Sequence, residues 1–99
     1  MTDNNRWGVI YSPRAGARQG HKRWDMVRSY MESKNIAFDY VQSEGFGSVE
    51  RLAGMLCANG YRTIVVVGGD GTLNDAVNGI IHAEKKVDDL ALGLIPNGI

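Results

Sequence analysis

Cysteine is nearly missing from this 99-residue chain, where Cys57 stands alone. That excludes a disulfide framework and a cysteine-based metal site. Cys57 lies beside Leu56 in an apolar pattern of helical spacing, so a small, buried or half-buried side chain is expected. Net charge is missing as well. Eleven basic residues offset eleven acidic ones, and no overall field points to nucleic acid or an anionic membrane. No apolar run approaches the roughly 20 residues needed to cross a bilayer. Met1–Asn5 has neither the basic start nor the apolar middle of a secretory signal, so a cytoplasmic location is expected. His21 and His82 have no partner at ligand spacing and are expected at the surface. Internal repeats and low-complexity linkers are lacking too.

What remains is an ordinary globular composition, 43% hydrophobic and 22% charged, with room for one core and little more. The charge is unevenly spread. The first 28 residues hold six basic side chains (Arg6, Arg14, Arg18, Lys22, Arg23, Arg28) against Asp3 and Asp25. Such a segment suits an anionic ligand or a solvated helix face equally well.

The stretch from Thr63 to Gly79 organises the chain. Thr63-Ile64-Val65-Val66-Val67 is a β-branched run that reads as a strand buried on both faces. It turns through Gly68, Gly69, Asp70 and Gly71, then leaves as a helix with Leu73, Ala76, Val77, Ile80 and Ile81 at helical spacing. Strand, glycine turn and helix form a frame for phosphate. Glycine lets backbone approach the ligand, and the helix N-terminus offers unpaired N–H groups and a positive dipole end.

The flanking sequence repeats the alternation. Trp7–Tyr11 reads as a first strand, followed by a small-residue loop over 12–20. A helix is expected over His21–Ser33, packed through Trp24, Val27 and Met31 with support from Met26 and Tyr30. Ile36–Val41 reads as the second strand and 42–47 as its loop. Ser48 is the expected N-cap of a helix carrying Val49, Leu52, Ala53 and Leu56, and Gly60 suits its C-terminal left-handed position. After a charged loop over 84–89 comes a fourth strand, Leu90–Ile95. Trp7 and Trp24 are expected in the core or beneath a further domain.

This order predicts an α/β fold, a three-layer Rossmann-like domain with a parallel sheet, truncated after about the fourth strand. The loops 12–20, 42–47 and 68–72 and the terminal Pro96-Asn97-Gly98 all leave carboxyl ends of strands, the edge where such sheets bind ligands. With no helix following the fourth strand, the chain reads as the N-terminal piece of a longer protein.

Gly68-Gly69-Asp70-Gly71-Thr72-Leu73-Asn74-Asp75-Ala76-Val77-Asn78-Gly79 resembles the catalytic-domain signature of the diacylglycerol kinase family, close to GGDGTLNEVVNG. That family includes bacterial lipid kinases and sphingosine kinases and is more distantly related to NAD kinases and phosphofructokinases. Ser12-Pro13-Arg14-Ala15-Gly16 resembles the family's first loop, N-P-x-[AS]-G. Leu92-Gly93-Leu94-Ile95-Pro96-Asn97-Gly98 resembles the start of L-G-x-[IL]-P-x-G-T-x-N-D. The likeness runs from Trp7 to Ile99, and Asn74–Gly79 with the Ile-Pro-Asn-Gly ending favours the lipid-kinase branch over NAD kinase.

The resemblance implies that residues 1–99 are the N-terminal, ATP-binding part of a lipid kinase. Such an enzyme transfers the γ-phosphoryl of ATP to a lipid hydroxyl, with magnesium. A second, β-rich domain would supply the lipid surface, peripheral membrane contact and an aspartate general base, so this chain alone should be inactive. The positions carried over to nucleotide binding are Ser12, Pro13, Arg14, Ala15, Gly16, Ser43, Gly69, Asp70, Gly71, Thr72, Leu73, Asn74 and Asp75. Ser43 stands where the family usually has threonine. Three departures matter: Ser12 for asparagine, Asp75 for glutamate, and Ile99 for the hydroxyl residue of the G-T-x-N-D loop. They keep two other readings open, an NAD kinase relative and a non-catalytic nucleotide- or lipid-sensing domain.

Physically, the backbone N–H groups of Gly69, Gly71 and Thr72 suit phosphate oxygens, with the Thr72 hydroxyl as a further donor. Asp70 would repel phosphate directly, which leaves it a candidate to hold Mg²⁺ or its waters. The plainer alternative is that Asp70 or Thr72 caps the following helix. Asn74, Asp75 and Asn78 have the corresponding plain reading of a solvated face. Arg14 and Arg18 suit either phosphate pairing or solvent.

Overall fold

The computed structural model describes residues 6–12, 17–43, 48–83 and 89–96. Among these, four strands alternate with three helices: β1 (Trp7–Tyr11), α1 (Ala17–Ser33), β2 (Phe38–Gln42), α2 (Ser48–Ala58), β3 (Thr63–Gly68), α3 (Asp70–Ile81) and β4 (Ala91–Pro96). The strands are parallel, in the order β2-β1-β3-β4. This is the α/β architecture that the alternation predicts.

Side chains of period two divide the sheet into two cores. Ile10, Ile64 and Val66 pack with Val49, Ala53, Leu56 and Cys57 of α2 and Ala76 of α3. Val9, Tyr11, Val65 and Val67 pack on the other face with Trp24 and Met31 of α1. The division follows from strand order. The chain steps one way from β1 to β2 and the opposite way thereafter, so crossovers of one hand place α1 opposite α2 and α3. Ile64–Val67 are buried throughout, as expected of a strand covered on both faces.

Helix ends follow local rules. Gly60 has φ +93°, and the N–H groups of Gly60 and Tyr61 donate to the carbonyls of Cys57 and Leu56 at 3.1 and 3.2 Å. Asn35 closes α1 at φ 59°, with Ile36 N–H donating to Met31 O at 3.0 Å. That terminus occupies Ile36, so β2 starts at Phe38, two residues later than its apolar pattern suggests. At its other end α1 begins at Ala17, ahead of His21. Ser48, the expected N-cap, is the first helical residue of α2, and the residues before it (44–47) lie outside the described residues.

Trp24 joins α1 to β1 and β2. Its ring stacks on Tyr11 at 5.3 Å between centroids and meets Phe38 and Tyr40. Met26 and Tyr30 do not share in this packing, each being 62% exposed. They border an apolar groove of about 600 Å³ between α1 and β4, with Trp7, Val65, Gly93 and Ile95 on its other walls. On the opposite face α2 and α3 approach closely. A Cβ on Gly79 would run into the backbone carbonyl of Glu50, and one on Gly54 would lie 3.2 Å from Gly79 O.

The amino edge of the sheet carries a polar cross-link. Arg6 donates through Nε and a terminal nitrogen to the two carboxylate oxygens of Asp39, at 3.0 and 2.7 Å, and to Phe38 O at 2.7 Å. Tyr61 donates its hydroxyl proton to Asp39 Oδ2 at 2.5 Å. The Arg6 guanidinium, and then Tyr61, hold the Asp39 carboxyl below its usual range. The same bond, with burial, pushes the Tyr61 phenol up. Among the described residues, no helix is long and apolar enough to cross a membrane.

Candidate functional site

The sheet register brings the carboxyl ends of the strands level. Tyr11 pairs with Gln42 on one side and Val67 on the other, and Gly68 pairs with Pro96. Their connections therefore start in one row. Between β1 and β3 the chain departs to opposite faces, toward α1 and toward α3. That divergence opens the crevice in which parallel sheets take ligands.

Two backbone donors beside the crevice are already used. Ser12 N–H donates to Val67 O at 3.0 Å, and Ser43 N–H donates to Tyr11 O at 2.8 Å. Donors with no helical acceptor lie at α3. Its first backbone bond runs from Leu73 N–H to Gly69 O at 3.1 Å, so Asp70, Gly71 and Thr72 keep N–H groups unpaired within the helix. The N-cap is Gly69, extended at φ −107° and ψ −171°, with no side-chain cap. Asp70 and Thr72 stand inside the first turn and not at the N-cap position. The helix starts at Asp70, ahead of the glycine turn's expected end.

The glycines here differ in kind. A Cβ on Gly68 would lie 2.8 Å from Thr72 Oγ1, so Gly68 is required by the Thr72 side chain folded against it. Thr72 is accordingly only 6% exposed. Among the described residues beyond its own helical turn, a Cβ on Gly71 would meet no atom within 4 Å. Its φ is not in the left-handed region either, so neither its backbone nor a described neighbour demands glycine there.

The remaining expected residues distribute as follows. Leu73 and Asp75 are half-buried on α3 and Asn74 is exposed. Ser12 and Ser43 sit at the ends of β1 and β2, Ser43 buried at 4% exposure. Pro13, Arg14, Ala15 and Gly16 lie outside the described residues, as do Asn97, Gly98, Ile99 and the Arg18 and Asp70 side chains. Burial, then the Asp25 charge, raises the Tyr11 phenol where β1 ends. Among the described residues, no three His, Cys, Asp or Glu side chains gather as a metal site.

A model of the diacylglycerol kinase catalytic domain matches residues 6–99. The chain belongs to that family. It is 30% identical over 95 residues to YtlR of Bacillus subtilis (strain 168), covering 93% of this chain and 29% of that protein. A Staphylococcus saprophyticus protein named "Diacylglycerol kinase" is 29% identical over 90 residues, covering 91% of this chain and 28% of that one. A Xanthomonas euvesicatoria protein named "Probable lipid kinase YegS-like" reaches 42% identity over 69 residues, covering 69% and 22%. The chain thus spans under a third of the length of these relatives.

One side chain of this diacylglycerol kinase family domain escaped the sequence reading. Ser48, seen there only as a cap, places its hydroxyl 2.9 Å from that of Ser43. The pairing spans a strand end and a helix start, so no periodicity announces it. Two hydroxyls flanking a short glycine-containing loop were its only trace.

Proposed function

We propose that this domain is the nucleotide-binding part of an ATP-dependent lipid kinase. It would seat the phosphates of ATP at the carboxyl edge, on the first turn of α3 and the loop after β1. The set comprises Ser12–Gly16, Ser43 and Gly69–Asp75. The observation that carries this reading is Gly71. A glycine in a helix costs about 0.5–1 kcal/mol relative to alanine, and no neighbour among the described residues requires it. Close approach of a ligand to three N–H groups with no acceptor within the helix accounts for both facts, and a phosphate is the ligand that such a terminus favours.

Phosphoryl transfer depends on positioning and on neutralising charge. Magnesium, when bound, supplies part of that neutralisation, held mainly by phosphate oxygens and water with Asp70 as its proposed protein partner. The oxygen of a lipid hydroxyl would attack the γ-phosphorus as ADP leaves. The general base and lipid surface are proposed to lie in a second, β-rich domain. Relatives more than three times as long as the matched segment support this division. The whole enzyme is proposed to work in the cytoplasm, touching the membrane peripherally.

The test is calorimetric titration of Mg·ATP into the protein expressed from its complete reading frame, beside Gly71→Ala and Asp70→Ala. Saturable binding is expected. Gly71→Ala should weaken it by about tenfold or more while the protein melts no lower. A folded protein that takes up no nucleotide would sink the reading. A lipid-acceptor screen, with NAD as the control acceptor, would follow.

A further inference from the structure

We infer that Ser48 is a positioning residue of the nucleotide site, aiming the Ser43 hydroxyl at a phosphate oxygen by donating a hydrogen bond to it. This deepens the nucleotide reading above and rests on it. Ser43 belongs to the set proposed to seat the phosphates, and its main chain is already committed. Its backbone N–H donates to Tyr11 O at 2.8 Å, which holds the end of β2 level with the end of β1. The hydroxyl is the polar group left to meet a ligand, and it lies 2.9 Å from the Ser48 hydroxyl.

The direction of that bond follows from proton count. Each hydroxyl has one proton to give and lone pairs to receive. Phosphate oxygens only accept, so a Ser43 hydroxyl that donates to phosphate has no proton left for Ser48. Ser48 must then be the donor of the pair. Without a ligand either atom can donate; with one, the order runs from Ser48 to Ser43 to phosphate. Accepting from Ser48 also makes Ser43 the stronger donor, since bonds in a chain polarise one another. Water is poorly placed to do the same work, because Ser43 is only 4% exposed. Ser48 is well placed, since it opens α2 and its backbone is held by the helix.

The test is a double-mutant cycle in Mg·ATP affinity, measured by calorimetry on the protein from its complete reading frame. The variants are Ser43→Ala, Ser48→Ala, the double variant and Ser48→Thr, each with a thermal melt. Ser43→Ala should weaken binding by about tenfold or more, as loss of a hydrogen bond to a charged group does. Ser48→Ala should weaken it by about three- to tenfold, the range of a neutral bond. In the Ser43→Ala background the second substitution should change nothing, because Ser48 acts through Ser43 alone. Ser48→Thr, which keeps the hydroxyl, should bind as the parent does. Unchanged affinity in Ser48→Ala or in Ser43→Ala would overturn the inference. So would equal losses from Ser48→Ala in both backgrounds, which would mark Ser48 as a support of α2 and not of Ser43. Failure of the unsubstituted, folded protein to bind Mg·ATP would instead bring down the nucleotide reading, and this inference with it.

Discussion

The two ends of α3 carry the same residue for opposite reasons. Near the C-terminal end, Gly79 lies against the Glu50 carbonyl of α2, where even a methyl group has no room. Near the N-terminal end, no described residue beyond its own helical turn comes within 4 Å of where a Gly71 Cβ would be. Packing accounts for the first glycine completely, and packing among the described residues does not account for the second.

Substitution at the two ends should separate them cleanly. The largest effect is expected from Gly79→Ala, at about 3 kcal/mol of lost stability, because backbone on both sides must move to admit the methyl. Denaturant unfolding checks this, and a midpoint near that of the parent would show the helices able to part freely. Gly68→Ala comes next, at about 2 kcal/mol, since its obstacle is the Thr72 side chain and a β-branched residue turns with difficulty. Gly71→Ala should reverse the sign and stabilise the domain by about 0.5–1 kcal/mol, while nucleotide affinity falls. If it destabilised as Gly68→Ala does, the contrast between the two ends would collapse.

The smallest effect is expected at the amino edge, where the same sheet ends in a closed ionic contact. Asp39 is held below its ordinary value of 3.8, so its contribution is whole above that pH and lost as pH falls through the lower folded value. Tyr61 is pushed above 10.0, so its contribution is whole below that pH and lost as pH rises through the folded value. The cross-link therefore spans the range between. The Asp39 and Arg6 side chains are 45% and 37% exposed, and water and salt screen the pair. Asp39→Asn should cost about 1 kcal/mol or less at neutral pH and flatten the loss of stability below about pH 4. Chemical unfolding at pH 7 and pH 3 would read both.

Much of this was legible because it is periodic. The β-branched run of β3, the alternation of strands and helices, and Gly60 as a helix end each declare themselves within a few neighbouring residues. The misplacements have a common cause in contacts made at a distance. Gly71 and Asp70 read as turn because glycine is a poor helix former, yet the helix starts at Asp70 with Thr72 folded against Gly68. Met26 and Tyr30 fit the apolar stripe of α1 but border a groove and stay exposed, since a stripe records hydrophobicity and not what lies opposite. The Ser43–Ser48 bridge joins residues whose proximity only the folded crossover provides. At the candidate site, the glycine turn was plain in the sequence. Which of its glycines the protein itself needs became readable only with neighbours in place.

The strand order also bears on how the molecule comes into being. β1 is made first, β2 joins one flank of it, β3 the other, and β4 the outside of β3. No strand has to be threaded between two that are already paired. A chain emerging from the ribosome can thus grow its sheet by accretion, each new strand meeting an edge that already exists. Among the described strands β4 comes last, and its pairing with β3 brings Pro96 level with Gly68 in the row of strand ends.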